Sequence, residues 1–272
     1  MDFGKLYKDA LTYPASDIEK LLIIGIFFII IGIVNILSVF GLNYPILRGS
    51  ATMLVISIIL GIIISGYMVT IVKSTLNKSD ELPAFNWGEM IVMGVKYVVL
   101  KIVYFIIPAI ITLIVALVSG LFGSTNDLLH QIMPMIINKT VNQTTVNIAY
   151  SSVSPEVATA FGTSLAITLV VGIILFIIFE ILSLVGVCRM AKTDSLVEGI
   201  SMGEVCKDIS SIGWLNYIAW FIIFVIITAI LMIISGLISA IPFIGLIIAA
   251  LIISPYISIY TGRALGLMYL DK

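Results

Sequence analysis

Long apolar segments alternate with short polar connections along the chain. A helix that crosses the hydrocarbon core of a bilayer needs about 20 predominantly apolar residues. Six segments reach that length: Leu21–Leu42, Ala51–Val72, Leu100–Phe122, Gly162–Val187, Trp214–Ile238 and Ile241–Met268. The pattern predicts an all-α polytopic membrane protein with six transmembrane helices, in a single integral membrane domain over residues 1–272.

Three polar segments carry apolar residues at helical spacing, on one face only. Each starts with a hydrophobic residue, a glycine, a charged residue and a second hydrophobic residue, and each leads into a span. These starts are Phe3-Gly4-Lys5-Leu6, Trp87-Gly88-Glu89-Met90 and Met202-Gly203-Glu204-Val205. One-sided apolar spacing predicts amphipathic helices that are not part of the spans. We expect them to lie in the cytoplasmic interface, with the apolar face towards the membrane.

The same segments indicate an internal repeat. The third and fifth spans match in their Phe-Ile-Ile starts at Phe105 and Phe221 and in the threonines Thr112 and Thr228. A similarity that recurs at a fixed period is typical of repeat architectures. The sequence therefore predicts three units, each an amphipathic helix followed by two spans, over residues 1–75, 84–187 and 200–272.

Composition excludes a soluble globular protein. Of the 272 residues, 61% are hydrophobic and 11% are charged, whereas about a quarter of the residues of a soluble domain are charged. The formal net charge of −1 carries no basic excess, so no nucleic-acid partner is expected. The expected partners are membrane lipids, together with other membrane subunits or a second copy of the chain.

The basic residues predict the orientation. Twelve of the 14 Lys and Arg residues fall in or close to the N-terminal segment, the two connections 73–99 and 188–213, and the C-terminal segment, with Lys101 and Arg263 inside the adjoining spans. Arg48 and Lys139 are the exceptions. Because cytoplasmic connections are enriched in Lys and Arg, we expect a cell-membrane protein with both termini cytoplasmic. The external side is then mainly a long loop, about 123–160, that holds His130 and the sequons at Asn138 and Asn142.

Candidate chemistry is sparse. One histidine makes a His-Glu-x-x-His zinc motif impossible, and no Walker loop is present. Cys188 and Cys206 are too few for a four-cysteine metal site, and we expect them to be free thiols. His130 is expected to be an ordinary surface histidine. The sequence therefore predicts no catalytic, metal or cofactor-binding residue, and no enzyme.

Two charged residues near the cytoplasmic ends of the spans stand out. Glu180 is the one acidic residue inside a predicted span, and Arg263 lies at a similar depth in the last one. An unpaired charge in lipid is costly, so we expect a structural Glu180–Arg263 ion pair. Two alternatives stay open for Glu180: a carboxylate that snorkels to the interface, and a proton or ion site.

Small residues recur every four positions on the last span, at Ala250, Ser254, Ser258, Gly262 and Gly266. Such ladders let helix backbones approach closely in membranes, so this ladder predicts a helix-packing face that is also available to a partner subunit. Two shorter ladders predict similar faces on the second and fourth spans: Ser57, Gly61 and Ser65, and Ser164, Thr168 and Gly172.

Three short segments resemble a known family. They are Asp80-Glu81-Leu82-Pro83-Ala84-Phe85-Asn86-Trp87-Gly88, Tyr13-Pro14, and Gly262-Arg263-Ala264 with the later Tyr269-Leu270-Asp271. Together they resemble an archaeal multi-pass membrane protein family known as domain of unknown function 4013. The resemblance implies an archaeal plasma membrane. It implies no activity and no functional residue.

Three functions remain open on the sequence. Apolar spans without catalytic motifs favour a non-catalytic scaffold, accessory subunit or lipid-organising protein. The repeat, Glu180 and the kinking prolines Pro108 and Pro255 favour a transporter or channel for a small or lipophilic solute. An intramembrane enzyme is the third, and no motif favours it.

Overall fold

A computed structural model describes residues 2–41, 50–137 and 153–271 of the chain, and within them the regular structure is helical, with no strand. The helices are α1 (Phe3–Thr12), a 3₁₀ turn (Tyr13–Ser16), α2 (Ile18–Val39), α3 (Ala51–Leu76), α4 (Trp87–Val118), α5 (Leu121–Ile137), α6 (Pro155–Thr193), α7 (Leu196–Ile200), α8 (Met202–Ile212), α9 (Trp214–Ser239), α10 (Gly245–Ile248), a π-helical segment (Ala249–Ile253) and α11 (Ser254–Leu270).

Six helical segments of the described chain are long and apolar enough to cross a membrane. They are α2, α3, α4, α6, α9 and the continuous segment Gly245–Leu270, called here the last span. Each overlaps one of the six segments predicted from hydropathy, so the prediction of six spans is confirmed by length and composition. The protein therefore fits a multi-pass membrane protein.

Polar caps set where several helices begin. Asp2 accepts a hydrogen bond from the Lys5 amide, Asp17 from the Lys20 amide and Ser50 from the Met53 amide, and each cap satisfies one of the amides that a helix start leaves free. The Lys20 amide also lowers the pKa of the Asp17 carboxyl. The cap at Asp17 explains why α2 begins at Ile18, three residues before the predicted span.

The middle amphipathic segment is not a separate helix, and the prediction is wrong there. Residues 87–98 form the first turns of α4, which continues without interruption to Val118. A break is present in the other two places, where Pro14 lies in the 3₁₀ turn before α2 and Gly213 adopts a φ of 92° between α8 and α9. Residues 95–100 of α4 contain neither proline nor glycine, so nothing ends the helix.

The other two amphipathic segments form separate helices, but their apolar faces are covered by protein. Leu6, Tyr7 and Ala10 of α1 are buried, and so are Val205 and Ile209 of α8. An interfacial helix would instead present this face to lipid. Both helices are therefore packed against the rest of their unit, in contrast to the expectation of an apolar face in the membrane interface.

The chain divides into two compact units, one made of residues 1–102 and 181–272 and the other of residues 103–180. We call them the large unit and the small unit. The predicted repeat over residues 1–75, 84–187 and 200–272 stays a prediction.

Helices of the large unit approach one another at glycines. A Cβ atom placed on Gly66 of α3 would lie 1.7 Å from the Met90 carbonyl oxygen, and one on Gly94 of α4 would lie 2.0 Å from the Ile62 carbonyl oxygen. Each helix thus uses a glycine where the backbone of the other one passes. Gly25 of α2 has the same relation to the Leu251 carbonyl oxygen, at 2.1 Å.

The last span contains an irregular turn before its proline. Pro255 has no amide hydrogen to donate, and the preceding residues Ala249–Ile253 are π-helical. The Ser254 hydroxyl donates to the Ala249 carbonyl oxygen at 3.0 Å. This hydrogen bond supplies a partner for a carbonyl in the widened turn.

The small unit contains the end of α4, α5 and the first part of α6. Gly120, with a φ of 78°, separates α4 from α5. The loop predicted over residues 123–160 is therefore partly helical, since α5 extends to Ile137 and α6 begins at Pro155. The sequons at Asn138 and Asn142 lie outside the described residues, as do Arg48 and Lys139.

Candidate functional site

The polar segments of the large unit meet at one end of it, which we call the charged end. It is formed by α1, the connection 77–86, the region from Arg189 to Ile212 and the last turns of α11. These four segments hold seven of the twelve basic residues: Lys5, Lys8, Lys78, Arg189, Lys192, Lys207 and Arg263. Hydrogen bonds join segments of this end directly, for example from Arg263 Nη1 of α11 to the Ser79 carbonyl oxygen of the connection 77–86, at 2.7 Å.

Arg263 lies at the centre of the charged end, with 4% of its side chain exposed. Its Nε and Nη2 atoms donate to the two carboxylate oxygens of Asp9 at 2.7 and 3.1 Å. Nη2 also donates to Asp80 at 2.7 Å, and Nη1 donates to the Ser79 carbonyl oxygen at 2.7 Å. One guanidinium of α11 therefore holds α1 and the connection between α3 and α4.

An aromatic ring completes the surroundings of this guanidinium. The Cζ atom of Arg263 lies 4.4 Å from the centroid of the Tyr13 ring, within the range of a cation–π contact. Burial raises the pKa of the Tyr13 hydroxyl to about 12, although the charge of Arg263 opposes the shift. Tyr13 is thus neutral at physiological pH, and its hydroxyl donates to the Glu81 carbonyl oxygen at 2.9 Å.

These contacts correct the charge partner expected for Arg263. The sequence predicted Glu180, whereas the carboxylates that neutralise the guanidinium are those of Asp9 and Asp80. Asp9 falls on a helix that hydropathy alone could not place beside the last span. Glu180 is partly buried in the small unit, and its role as a functional site stays a prediction.

The connection 77–86 is held through its own carbonyl oxygens. Besides the bonds from Arg263 and Tyr13, Lys20 Nζ donates to the Leu82 carbonyl oxygen at 2.7 Å, and the Tyr67 hydroxyl donates to that of Pro83 at 3.1 Å. The Leu82 side chain is 3% exposed and belongs to the apolar core of the large unit. The connection is therefore an ordered part of the fold.

A second buried carboxylate belongs to α8. Asp208 is 3% exposed, and its Oδ2 atom accepts from Arg189 Nη1 at 3.1 Å and from the Tyr269 hydroxyl at 2.5 Å. Arg189 also donates to Glu198, at 2.5 Å from Nη2. A buried carboxylate needs such partners to remain charged. The network joins α6, α7, α8 and α11.

A third ion cluster is more exposed. Lys73 Nζ lies 3.0 Å from Glu89 and 2.8 Å from Asp194, and Lys96 Nζ donates to the Asp194 carbonyl oxygen at 2.6 Å. The cluster joins α3 and α4 to the residue that follows α6. Asp194 adopts a φ of 54°, a conformation that aspartate tolerates better than most residues.

The small residues of the last span differ in their contacts. A Cβ on Gly262 would lie 2.8 Å from the Met68 carbonyl oxygen, and one on Gly266 would lie 2.6 Å from the Thr75 Cβ atom, so both lie against α3. Ala250, Ser254 and Ser258 are partly exposed.

The ladder on the fourth span lines the interior of the small unit. The Ser164 hydroxyl is 3.0 Å from that of Ser124, and the Thr168 hydroxyl is 3.3 Å from that of Ser119. Gly172 of the same ladder faces Thr112. On the second span, by contrast, no atom of the described residues lies within 4 Å of a Cβ placed on Gly61, apart from its own helix backbone and chain neighbours.

The expectation that the chain contains no Gly-x-Ser-x-Gly motif of hydrolases is wrong. Gly199-Ile200-Ser201-Met202-Gly203 has the Gly-x-Ser-x-Gly spacing of hydrolases. In those enzymes the serine follows a strand and precedes a helix, whereas Ser201 lies between two short helices, α7 and α8. The motif therefore lacks the strand–turn–helix geometry that exposes a nucleophilic serine.

The remaining candidates lie apart from the charged networks. Cys188 is buried and donates to the Leu265 carbonyl oxygen at 3.5 Å, while Cys206 is partly exposed; both are free thiols. His130 is an exposed residue of α5. Within residues 2–41, 50–137 and 153–271, no group of three His, Cys, Asp or Glu residues could hold a metal ion.

Sequence reasoning missed Asp9, Asp80 and Tyr13 as partners of Arg263, and Tyr269 as the partner of Asp208. A signal was nevertheless present. Tyr13-Pro14, the run that begins at Asp80 and the segment that begins at Gly262 are the three segments on which the family resemblance rests, and all three meet at the guanidinium.

A comparison with protein families found one match. The model of a family described as protein of unknown function (DUF4013) matches residues 49–240. Comparisons with curated proteins and with solved structures found no match for the chain. Asp80 and Asp208 lie within the matched residues, whereas Asp9 and Arg263 lie outside them.

Proposed function

The chain belongs to the DUF4013 family of proteins of unknown function, and from the geometry of the charged end we propose that it is a non-catalytic membrane protein. Its role is that of a scaffold, an accessory subunit or a lipid-organising protein. The membrane that we propose is an archaeal cell membrane, as the family resemblance implies.

One observation carries this proposal: each of the two buried charges of the charged end, Arg263 and Asp208, is bound by partners from the protein itself. Arg263 is neutralised by Asp9 and Asp80, and Asp208 by Arg189 and the Tyr269 hydroxyl. Catalytic groups are instead held in a cleft where a substrate can reach them. Charges that join four segments of the chain support a structural role, which is to keep the ends of the spans in fixed positions.

We also propose that the charged end lies in the cytoplasm. Seven of the twelve basic residues belong to the four segments that form it, and Lys20, Lys73, Lys96 and Lys101 lie in α2, α3 and α4. Lys and Arg are retained on the cytoplasmic side during insertion. Trp87 and Trp214 begin α4 and α9 and are 49% and 44% exposed. Tryptophan is enriched at the membrane–water interface, which supports a membrane boundary near this end.

Cysteine labelling tests this orientation. On a background without Cys188 and Cys206, we expect Asn77→Cys to react with a membrane-impermeant maleimide only after the cells are opened, because Asn77 is an exposed residue at the charged end. Asn142→Cys should react in intact cells. The reverse pattern, or labelling of both from outside, would contradict the proposed orientation.

A transporter or channel is the second candidate, and one observation favours it. The last span is interrupted by the π-helical turn at Ala249–Ile253, and both π-helical turns and broken membrane helices are frequent at functional sites. In this interpretation Glu180 would be the residue that exchanges a proton or an ion.

Flux measurements separate the two functions. We expect purified protein in sealed liposomes to carry no proton or sodium current above that of protein-free liposomes under an imposed gradient. The transporter interpretation predicts a current that Glu180→Gln abolishes without loss of thermal stability. Lys207→Gln is the matched control, because Lys207 is 74% exposed. A current with this dependence on Glu180 would overturn the scaffold proposal.

A further inference from the structure

A cavity of about 540 Å³ opens at the charged end of the large unit. The last turns of three spans form its wall, which is lined by Lys73, Leu76, Asn77, Ala191, Lys192, Tyr269 and Leu270. The volume lies in the range of about 300–1,000 Å³ that is typical of ligand sites. The cavity is not part of the Arg263 network described above.

Lys192 supplies the charge of this cavity. Its Nζ atom lies 5.6 Å from the centroid of the Tyr269 ring, which holds the ammonium at the wall by a cation–π contact. Within residues 2–41, 50–137 and 153–271 the contact found for the Lys192 ammonium is this aromatic one, and no ion pair there compensates its charge. An anion in the cavity would supply that compensation.

Tyr269 gives Lys192 a fixed support. The ring is 3% exposed, and the hydroxyl donates to the buried carboxylate of Asp208. Asp208 is in turn held by Arg189. The aromatic face under Lys192 is therefore positioned by Asp208 and Arg189, neither of which lines the cavity.

The second cation of the wall is already paired. Lys73 is bound by Glu89 and Asp194, so it contributes hydrogen-bond donors more than net charge. The exposed amide of Asn77 is a neutral donor beside it. One uncompensated ammonium flanked by further N–H donors is a suitable arrangement for a phosphate group, which carries negative charge and several acceptor oxygens.

The position along the spans agrees with this chemistry. α3 and the last span each contain 26 residues, or about 39 Å of helix at 1.5 Å per residue, whereas the hydrocarbon core is about 30 Å thick. Their last turns therefore extend to the level of lipid headgroups. Basic pockets between membrane helices at this level are known to bind lipid phosphates.

We propose that this cavity binds a phosphate group, carried by an anionic membrane lipid or free in solution. Leu76, Ala191 and Leu270 supply apolar wall beside the cations, which suits the glycerol region of a lipid. The claim that the phosphate belongs to a lipid depends on the proposed placement of the chain in a membrane. The phosphate chemistry rests only on the cavity.

Native mass spectrometry of the protein in a maltoside detergent tests the proposal. We expect phosphatidylglycerol to bind the native protein and diacylglycerol with the same chains not to bind. Lys192→Gln should weaken phosphatidylglycerol binding about fivefold, and Lys192→Arg should retain it. Lys207→Gln removes the same charge at an exposed site outside the cavity and should leave binding unchanged.

The remaining arms identify the source of the phosphate. Inorganic phosphate that displaces the lipid, with the same dependence on Lys192, assigns the site to a free anion. Equal weakening by Lys192→Gln and Lys207→Gln, or no weakening by either, would overturn the proposal. Binding is measured without any flux, so a failure of the scaffold proposal in the liposome assay remains distinguishable from a failure here.

Discussion

Arg263→Gln should lower the free energy of unfolding of the protein in detergent by about 3 kcal/mol. Loss of one partner from a fully buried ion pair costs about 3–5 kcal/mol, and we expect the lower end of that range because the Arg263 side chain is 4% exposed but the Asp9 side chain is 40% exposed. Here the change leaves Asp9 and the Ser79 carbonyl oxygen without their donor and removes the cation over Tyr13. Thermal or denaturant unfolding followed by tryptophan fluorescence measures the loss.

Asp80→Asn is the matched control for this prediction. Asp80 also binds Arg263, but its side chain is 89% exposed, and exposed ion pairs contribute about 0–1 kcal/mol. Asp9→Asn should cost more than Asp80→Asn, and the double change with Arg263→Gln should cost less than the sum of the single changes. Strong coupling of Arg263→Gln with Glu180→Gln, and none with Asp9→Asn, would contradict the network.

Gly66→Ala should destabilise the protein by about 3 kcal/mol, the upper part of the usual range for overpacking. The added methyl group would lie 1.7 Å from the Met90 carbonyl oxygen. That atom belongs to the backbone of α4 and cannot rotate away, so α3 and α4 must separate. The expected result is a lower melting temperature in detergent and earlier aggregation on size-exclusion chromatography.

Gly61→Ala, in the same helix, is the control for this substitution. In the part of the chain that the structure describes, no atom of another helix lies within 4 Å of its Cβ position. Alanine is also favoured over glycine in a helix by about 1 kcal/mol. Gly61→Ala should therefore be neutral or mildly stabilising. If the two variants have the same melting temperature, the close crossing of α3 and α4 is wrong.

Hydropathy was sufficient for the existence of the spans because each is long and apolar, but it placed the start of the last span at Ile241 rather than Gly245, since the connection 240–244 carries no charge. It could not show that α4 continues through residues 87–98, since one-sided apolar spacing is the same in a separate helix and in the first turns of a longer one. The helix-breaking residues were informative here. Pro14 and Gly213 lie where a helix ends, whereas residues 95–100 of α4 contain neither proline nor glycine.

The partners of Arg263 were beyond sequence reasoning for a different reason. The position of a residue along a span indicates its depth in the membrane, but it does not specify which helix lies beside it. Glu180 matched Arg263 in predicted depth only. Asp9 comes from a helix outside the predicted spans. The π-helical turn before Pro255 was likewise not predicted, because a proline signals an irregularity without specifying its geometry.

The bond between Asp9 and Arg263 joins residues 254 positions apart in the sequence. Synthesis proceeds at about 5–20 residues per second, so Asp9 waits roughly 13–50 s for its partner to be made. For most of that interval α1 and the connection 77–86 have already been synthesised, but the Arg263 guanidinium that binds Asp9 and Asp80 has not. A nascent chain stalled before α11 would therefore present unpaired acidic groups, a chemical mark by which a quality-control protease could separate unfinished chains from finished ones.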